Sequence, residues 1–404
     1  MNYVIIGNSI AAVGGIEGIR RTDGDGNITV VGAEPHHVYS RPLISYLLEG
    51  KTDSERIKYR PDDFYKKNKC TLKKGVRAES IDTDKKTVFL DDGEALPFDK
   101  LLIATGARPF VPKISGLENH EYHTFMTLGD AYGLEKKLKS TKDAKVLILG
   151  AGLIGLKCAE AIYRYAKEIT VADMADRVLP SILDTEGSAV IKKHLEYKGI
   201  RFLLSTAVEL DKMKFDVLCV CTGVIPEANL AKDAGIETGR GIYIDAEAKT
   251  SKDGIYAAGD CTEGYSAVTG RRGAIAILPN AYIQGETAGI NMAGGNAVYD
   301  KAMPMNAIGF FGKHILTAGL YEGEEIKSGS VSGGVFKKLF VKDGKLKGFI
   351  FIDDFKRAGL YTALIRDGID LTGIDDATLL DDIGFKLYPK AERDKVLRNQ
   401  NEGV

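Results

Sequence analysis

The strongest chemical signal in this sequence is a glycine-rich turn followed by a carboxylate. Gly150, Gly152 and Gly155 form the pattern G-x-G-x-x-G between a strand pattern and a helix pattern, and Asp173 ends the next strand pattern eighteen residues later. Amide groups at such a helix start bind a pyrophosphate, and the acid binds an adenosine ribose. The carboxylate predicts NADH rather than NADPH because it would repel a 2′-phosphate. Arg177, four residues further on, could instead reach such a phosphate.

A weaker copy of this pattern lies at the start of the chain. A buried strand pattern over residues 3–6 meets Gly7, and Ser9 and Ala12 occupy the second and third glycine positions. Gly7 supplies the turn and Ala12 still allows close helix packing, while the Ser9 hydroxyl could donate a hydrogen bond to a phosphate. The next strand pattern ends at Glu34. By itself, this copy fits a βαβ unit with or without a bound nucleotide.

Three further strand patterns end in turns that could border a nucleotide. "KLLIATGARPFVP" contains Thr105 and Gly106, and "DVLCVCTGVIPEANL" repeats its shape around Gly223. "TSKDGIYAAGDC" ends at Gly259 and Asp260, just before a helix pattern of small residues. The last junction predicts a place where a carboxylate and helix amides meet a ribityl-phosphate chain.

Bulk composition excludes several classes of protein. The chain has 404 residues, 44% hydrophobic and 27% charged, with a formal net charge of -1, which fits two or three globular domains and gives no indication of nucleic-acid binding. Five cysteines without a C-x-x-C pair and six histidines without ligand spacing predict buried thiols and no metal. The apolar runs are too short to cross a membrane, and the opening "MNYVIIG" is a strand pattern rather than a secretory signal. A cytoplasmic location is expected.

Two groups of lysines are interpreted as solvated surface rather than as docking sites. The first is Lys66, Lys67 and Lys69, and the second is Lys337, Lys338, Lys342, Lys345 and Lys347.

Taken in order, these motifs resemble those of the two-dinucleotide-binding-domain flavoproteins, the pyridine nucleotide-disulphide oxidoreductase superfamily. The resemblance covers nearly the whole chain and implies an α/β fold with two Rossmann-like domains, the second inserted in the first, and a C-terminal α+β domain. The implied limits are 1–113 with 246–301 for an FAD-binding domain, 114–245 for an NAD-binding domain and 302–404 for an interface-type domain. In the last, "KLFVKDGKLKGFIFIDD" predicts a hairpin and "AGLYTALIRDG" a helix.

The resemblance also assigns binding residues for FAD and NADH. It assigns to FAD the residues Gly7, Ser9, Ala12, Glu34, Arg41, Pro42, Thr105, Gly106, Arg108, Gly259 and Asp260. It assigns to the nicotinamide nucleotide the residues Gly150, Gly152, Gly155, Asp173 and Gly223.

Two departures from the family pattern concern the reacting centre. Disulphide reductases of the family carry a C-x-x-x-x-C pair just after the ribose acid, and its peroxidases and NADH oxidases carry a single cysteine where "ISYLLEG" has Glu49. The segment is therefore more similar to the "YSRP" turn of rubredoxin, ferredoxin and nitrite reductases. Many relatives also pair a lysine with a glutamate near the flavin, at the positions of Tyr46 and Lys157 here. Both residues are therefore candidates for the catalytic site. Lys157 either stabilises the anionic reduced flavin or extends along its helix to solvent.

Three functions fit these motifs. The first is an NADH-dependent reductase of a small, acidic iron protein such as rubredoxin, or of a separate iron–sulphur subunit. The second is an NADH oxidase or diaphorase that reduces oxygen or a small molecule, and the third is a flavin-binding scaffold or regulatory subunit. A homodimer is possible, because the C-terminal domain forms the dimer interface in some members of the family.

Overall fold

The computed structural model describes residues 1–384 together with 387 and 393. The chain forms two compact units, of which the first comprises residues 1–176 and 199–302. The second comprises residues 177–198 and the chain from residue 303 onward. The three-domain limits expected from the sequence place residues 177–198 in the NAD-binding domain, and those limits stay a prediction.

The amino-terminal part of the first unit alternates strands with short helices. Its elements are β1 (Asn2–Ile6), α1 (Ile10–Thr22), β2 (Asn27–Gly32), α2 (Ile44–Glu49), α3 (Phe64–Lys67), β3 (Cys70–Lys74), β4 (Ala78–Asp82), β5 (Thr87–Leu90), β6 (Ala95–Pro97), β7 (Lys100–Ile103) and β8 (Ala107–Pro109).

The middle of the chain repeats this alternation. Its elements are α4 (Leu128–Ser140), β9 (Ala144–Leu149), α5 (Leu153–Ile162), β10 (Ala166–Ala172), α6 (Thr185–Tyr197), β11 (Arg201–Leu203), β12 (Val217–Val220), β13 (Val224–Pro226), α7 (Asn229–Asp233), β14 (Ile242–Tyr243), β15 (Ile255–Ala257), β16 (Thr262–Tyr265), β17 (Arg272–Gly273) and α8 (Leu278–Met292). Of these, α6 belongs to the second unit.

Two parallel sheets carry the first unit. One has the order β15-β7-β1-β2-β3 and the other the order β11-β10-β9-β12. The strands at their centres are continuous apolar runs, as expected for parallel sheets covered on both faces. Alternation along β1 fills two separate cores: Tyr3 and Ile5 join the core of α1 and α8, whereas Val4 and Ile6 join the core of β4–β6 and α7.

Short antiparallel strands complete the unit. β4, β5 and β6 form a three-stranded sheet, β8 pairs with β13, and β16 pairs with β17. The β8–β13 pair joins the segments that follow β7 and β12, so the ends of the two parallel sheets are tied together by backbone hydrogen bonds.

The second unit is built on an antiparallel sheet. Its elements beyond α6 are β18 (Met305–Phe310), β19 (Lys313–Gly319), β20 (Glu324–Gly329), β21 (Phe336–Lys342), β22 (Lys345–Ile352), α9 (Ala358–Asp367) and α10 (Asp376–Asp381). The sheet order is β18-β19-β22-β21-β20. The expected hairpin is β21–β22 and the expected helix is α9, so both predictions are confirmed.

The interpretation of one lysine group as solvated surface is wrong for two of its members. Lys337 and Lys338 are buried on β21, with 3% and 2% of their surfaces exposed. The Lys338 ammonium contacts the carboxylates of Asp184, Glu186 and Glu325, which neutralise its charge inside the unit. The sequence pattern missed this arrangement because the three acids come from distant segments.

No helix in the described part of the chain is both long and apolar enough to cross a lipid bilayer.

Candidate nucleotide-binding and redox site

The first glycine turn joins β1 to α1. Gly7 has φ of 116°, its amide donates to the Val31 carbonyl at 2.8 Å, and a Cβ there would lie 2.0 Å from the Ala104 carbonyl oxygen. Only glycine fits between these strand ends. Ser9 precedes α1 in an extended conformation and its hydroxyl makes no capping bond to the helix, while Ala12 is fully buried.

Glycines allow α1 and α8 to cross at close range. A Cβ at Gly14 or Gly18 would lie 2.2 or 2.3 Å from a carbonyl oxygen of α8, and one at Gly285 or Gly289 would lie 2.0 or 2.2 Å from a carbonyl oxygen of α1. The contact is therefore backbone against backbone. It places the start of α8 beside the start of α1, so two positive helix ends point to one region.

Gly259 and Asp260 lie at this crossing. An added Cβ at Gly259 would be 3.1 Å from the Cβ of Ala11 on α1 and 3.6 Å from that of Ala281 on α8. The Gly259 amide donates to Gln284 Oε1 at 2.9 Å. Burial raises the pKa of Asp260, and the charge of Arg41 opposes this rise. A half-buried carboxylate near two helix starts fits a role in binding a hydroxylated ligand chain.

Glu34 and Arg41 lie together at the end of β2. Glu34 accepts hydrogen bonds from the Tyr39 hydroxyl and from Arg41 Nη2, both at 2.6 Å, and Arg41 Nη1 donates to the Met126 carbonyl at 3.1 Å. Pro42 follows in a 3₁₀ turn over Arg41–Leu43. The sequence analysis missed Tyr39, whose position five residues after Glu34 was the available signal.

Thr105, Gly106 and Arg108 share one partner segment. Thr105 Oγ1 donates to the Glu227 carbonyl at 2.6 Å, and the Glu227 amide donates to the Gly106 carbonyl at 2.8 Å. Arg108 Nε pairs with the Glu227 carboxylate at 3.2 Å. Space beside the Cα of Gly106 is open, since a Cβ there would contact nothing within 4 Å. Glu227 was not predicted from the sequence.

The second glycine turn joins β9 to α5 and is tighter than the first. Gly150 has φ of 112°, and its added Cβ would lie 2.3 Å from the Cys221 carbonyl oxygen. An added Cβ at Gly155 would lie 1.9 Å from the Gly150 carbonyl oxygen. Gly152, in contrast, faces open space, as does Gly223 at the end of β12. These open positions are where a ligand could approach the backbone.

Asp173 closes the second turn through backbone groups. Its Oδ2 accepts from the Ala151 amide at 2.6 Å and its Oδ1 accepts from the Ala175 amide at 2.8 Å. The carboxylate therefore lies beside the middle of the glycine pattern, where an adenosine ribose would be expected.

Tyr46 and Lys157 lie together where α2 packs on α5. The Lys157 ammonium lies 5.1 Å from the centre of the Tyr46 ring, and the Lys51 ammonium lies 5.5 Å from it. Lys157 Nζ pairs with Glu160 Oε2 at 2.5 Å, and Lys51 pairs with Glu49. We call Tyr46, Glu49, Lys51, Lys157 and Glu160 the helix-contact cluster. The Lys157 side chain is 16% exposed and is ion-paired to a buried acid, and its role toward a flavin stays a prediction.

One of the five cysteines, Cys158, follows Lys157 directly on α5. Cys158, Cys219, Cys221 and Cys261 are buried, and Cys70 on β3 is half-buried. The neighbouring thiols of Cys219 and Cys221, together with burial, raise the pKa of Cys158, which keeps it protonated. In the described residues, no group of three or more His, Cys, Asp or Glu side chains could hold a metal ion.

The residues present fit two dinucleotides. The starts of α1 and α5 carry no acidic residue in their first turns, and glycine or serine opens each turn. Unpaired amides at such starts bind phosphate. We call the start of α1 with Gly259 and Asp260 the first cradle, and the start of α5 with Asp173 the second cradle. A fold with two such cradles joined by α2 and α5 is that of an oxidoreductase in which one nucleotide reduces the other.

Comparison with known proteins identifies the family. Residues 1–285 match the model of the pyridine nucleotide-disulphide oxidoreductases, and the chain belongs to that family. The chain is 33% identical to the NADH-dependent phenylglyoxylate dehydrogenase subunit epsilon of Aromatoleum evansii, over 92% of each chain. These findings confirm the predicted α/β fold, the enzyme class and the cofactors: the protein is an FAD-dependent oxidoreductase that uses NADH.

Other proteins similar to this chain have names that describe electron transfer. The chain is 30% identical to the assimilatory nitrate reductase electron transfer subunit of Bacillus subtilis (strain 168), covering 87% of this chain but only 47% of that protein, so the chain spans about half its length. It is 28% identical to the rubredoxin-NAD(+) reductase of Pseudomonas putida, over 73% of this chain and 80% of that one. The crystal structure of the covalent putidaredoxin reductase–putidaredoxin complex is similar, with TM-score 0.84, 26% identity and coverage of 91% of this chain and 94% of that one.

Proposed function

We propose that this enzyme passes a hydride from NADH to FAD and then passes electrons singly to a small iron protein such as rubredoxin, or to a separate iron–sulphur subunit. The observation that carries the proposal is Glu49. It occupies the position at which the family's peroxidases and NADH oxidases have a redox cysteine, and it is held there by an ion pair to Lys51. A carboxylate cannot accept electrons, so they must leave the flavin for an external acceptor.

The chain's own residues bind and orient the two nucleotides. The starts of α1 and α8, with Ser9, Gly259 and Asp260, hold the FAD phosphates and ribityl chain, and Glu34 holds its ribose. The start of α5 and Asp173 hold NADH. FAD, when bound, accepts the hydride and can release its electrons one at a time. Lys157 and Tyr46, whose ammonium and ring centre lie 5.1 Å apart, supply a positive charge and an aromatic face.

An acidic partner is the class of carrier we propose. Lys66, Lys67 and Lys69 are exposed around α3 and can meet negative charge, although Lys67 and Lys69 also pair with Asp63 and Asp25. Lys337 and Lys338 are buried and cannot contribute. We also propose a cytoplasmic location, which the five unpaired thiols support.

The test is anaerobic reduction of rubredoxin by the FAD-loaded chain with NADH. We expect rapid reduction that slows at least tenfold between low and high ionic strength, because salt screens an attraction between unlike charges. A Lys66→Ser/Lys69→Ser variant should lose most of this salt dependence, and a Lys342→Ser/Lys345→Ser variant should keep it.

Other outcomes would favour the two alternatives. Fast oxygen consumption with no carrier, together with slow rubredoxin reduction, would contradict the proposal and favour an NADH oxidase or diaphorase. Slow flavin reduction by both NADH and NADPH would favour a flavin-binding scaffold or regulatory subunit.

A further inference from the structure

The helix-contact cluster is connected along the chain to both nucleotide cradles. Helix α5 starts at the Gly152 turn, and Lys157 lies five residues later, about 7–8 Å along the helix axis. Tyr46 lies five residues after Arg41, whose guanidinium pairs with Glu34 in the other cradle. The charges of this cluster are therefore carried by segments that begin at the two binding regions.

The cluster contains two acids, of which the family resemblance singled out Glu49 but not Glu160. Glu160 is 7% exposed in its side chain and holds Lys157 three residues earlier on the same helix. Glu49 is 9% exposed in its side chain and holds Lys51. The Oε1 atom of Glu49 is buried and has no hydrogen-bond partner in the described chain. Both acids therefore pair with ammonium groups and have little contact with solvent.

The position of each ammonium group depends on its ion pair, Lys157 with Glu160 and Lys51 with Glu49. Two cations on one tyrosine ring repel each other, and Tyr46 is 39% exposed, so cation–π attraction alone holds each ammonium weakly. The ion pair to Glu49 raises the pKa of Lys51, and the charges of Glu160 and Tyr46 add to that rise. Glu160 is therefore close enough to act on both lysines.

We propose that Glu160 is a positioning residue that fixes the Lys157 ammonium against Tyr46, and that the charge balance of this pair sets how readily the bound flavin is reduced. The inference rests on the proposed binding of FAD in the first cradle, and it does not depend on the identity of the acceptor. A positive charge near the flavin stabilises the negative charge that the flavin carries when reduced, and a negative charge opposes it.

The two partners must then act with opposite signs. Lys157→Met removes the positive charge and leaves Glu160 in place, so the flavin should become harder to reduce. Glu160→Gln keeps the shape and leaves Lys157 in place, so the flavin should become easier to reduce. At a fixed potential we expect the ratio of reduced to oxidised flavin to change about tenfold in each direction, which is about 30 mV for a two-electron couple.

The experiment is an anaerobic spectroelectrochemical titration of the FAD-loaded full chain and its variants. In the Lys157→Met/Glu160→Gln double variant, the ratio of reduced to oxidised flavin at a fixed potential should return to within twofold of the parent. Lys73→Met and Glu94→Gln are the matched controls. This pair is joined at 2.6 Å, with Lys73 on the edge strand β3 and Glu94 just before β6, and should not move the potential. Melting temperatures are recorded for the same proteins. The melting temperatures of both single variants should fall, because each loses one partner of the ion pair.

A purely structural role predicts a different result. It lowers both melting temperatures but leaves the ratio of reduced to oxidised flavin in both variants within twofold of the parent, or shifts both ratios in the same direction. Either outcome overturns the proposal. If Lys157→Met fails to bind FAD, Lys157→Arg and Glu160→Asp are measured instead. Both variants keep the charges and should keep the parent potential. A tenfold change in the ratio of reduced to oxidised flavin in either variant would contradict the inference. Failure to reduce rubredoxin with these potential shifts intact would reject the proposed acceptor only.

Discussion

The two glycine turns of this enzyme have the same geometry at their first residue but differ at the third position of the motif. Gly7 and Gly150 have φ of 116° and 112°, and both lie against a carbonyl of the neighbouring strand. The second turn then closes so tightly that Gly155 touches Gly150, whereas the first leaves room for the Cβ of Ala12. The first turn owes its position to the α1–α8 crossing instead.

The acids of the two turns are also held differently. Asp173 accepts from two backbone amides, one in the glycine turn and one in its own loop. Glu34 accepts from the side chains of Tyr39 and Arg41, which follow it closely in the sequence. The second motif contains all three glycines. The first cradle also needs the α8 crossing with Gly259 and Asp260, which lies far from Gly7 in the sequence and outside its motif.

The largest effect should come from adding a side chain at Gly155. Gly155→Val would place a Cβ 1.9 Å from the Gly150 carbonyl oxygen, so the turn must open. We expect a loss of stability of roughly 1–3 kcal/mol or more and loss of NADH-dependent flavin reduction. Thermal melting and stopped-flow reduction would measure the two effects.

Gly152→Ala is the matched control in that turn, because its Cβ meets no protein atom within 4 Å. It should keep the melting temperature and lose nucleotide affinity only. Equal melting temperatures for the parent and Gly155→Val would show that the turn is looser than this contact implies.

The next effect concerns the acid of the second cradle. Asp173→Asn keeps the side-chain shape but removes the charge that is expected to bind the ribose. We expect KM for NADH to rise about 10-fold to 100-fold, because a hydrogen bond to a charged group contributes roughly 1.5–3 kcal/mol. Steady-state kinetics with NADH and NADPH would show the preference for NADH falling, and an unchanged preference would remove Asp173 from the specificity argument.

A substitution at Asp260 in the first cradle should increase stability while it weakens ligand binding. Burial raises the pKa of Asp260 above its ordinary 3.8, so the folded protein holds this proton to higher pH than the unfolded chain does. Stability from this group is therefore present below pH 3.8 and is lost as pH rises through the raised value. Asp260→Asn should raise the melting temperature of the FAD-free protein at neutral pH while weakening FAD binding.

A pH series checks the sign of this effect. The difference in melting temperature between Asp260→Asn and the parent should shrink as pH falls toward 3.8. A difference that grows on acidification would mean that the carboxylate stabilises the fold when charged.

The smallest effect should come from Ser9. Its hydroxyl makes no capping bond to α1, so its removal costs the helix little. Ser9→Ala should weaken FAD binding about 2-fold to 10-fold, as expected for one neutral hydrogen bond of roughly 0.5–1.5 kcal/mol. Fluorescence titration with FAD would measure this, and tighter binding by Ser9→Ala would show that the hydroxyl obstructs the phosphate.

Local patterns therefore predicted the elements and the cradles, but not the contacts between distant segments. The β21–β22 hairpin and α9 could be predicted because apolar alternation and helical periodicity lie within one short segment. The burial of Lys338 could not, because its three carboxylates come from α6 and β20 and from the residue before α6. Tyr46 and Lys157 were paired by family comparison, while Glu160 emerged only from the structure.

The central claim is that the flavin is the only redox group between NADH and the acceptor. Anaerobic titration of the FAD-loaded protein with NADH, followed at the visible flavin band, counts the electrons that the enzyme takes up. One NADH per FAD should bleach the band completely, and NADPH should do so far more slowly. A requirement for two NADH per FAD would reveal a second two-electron group, such as a thiol pair, and would contradict the role assigned to Glu49.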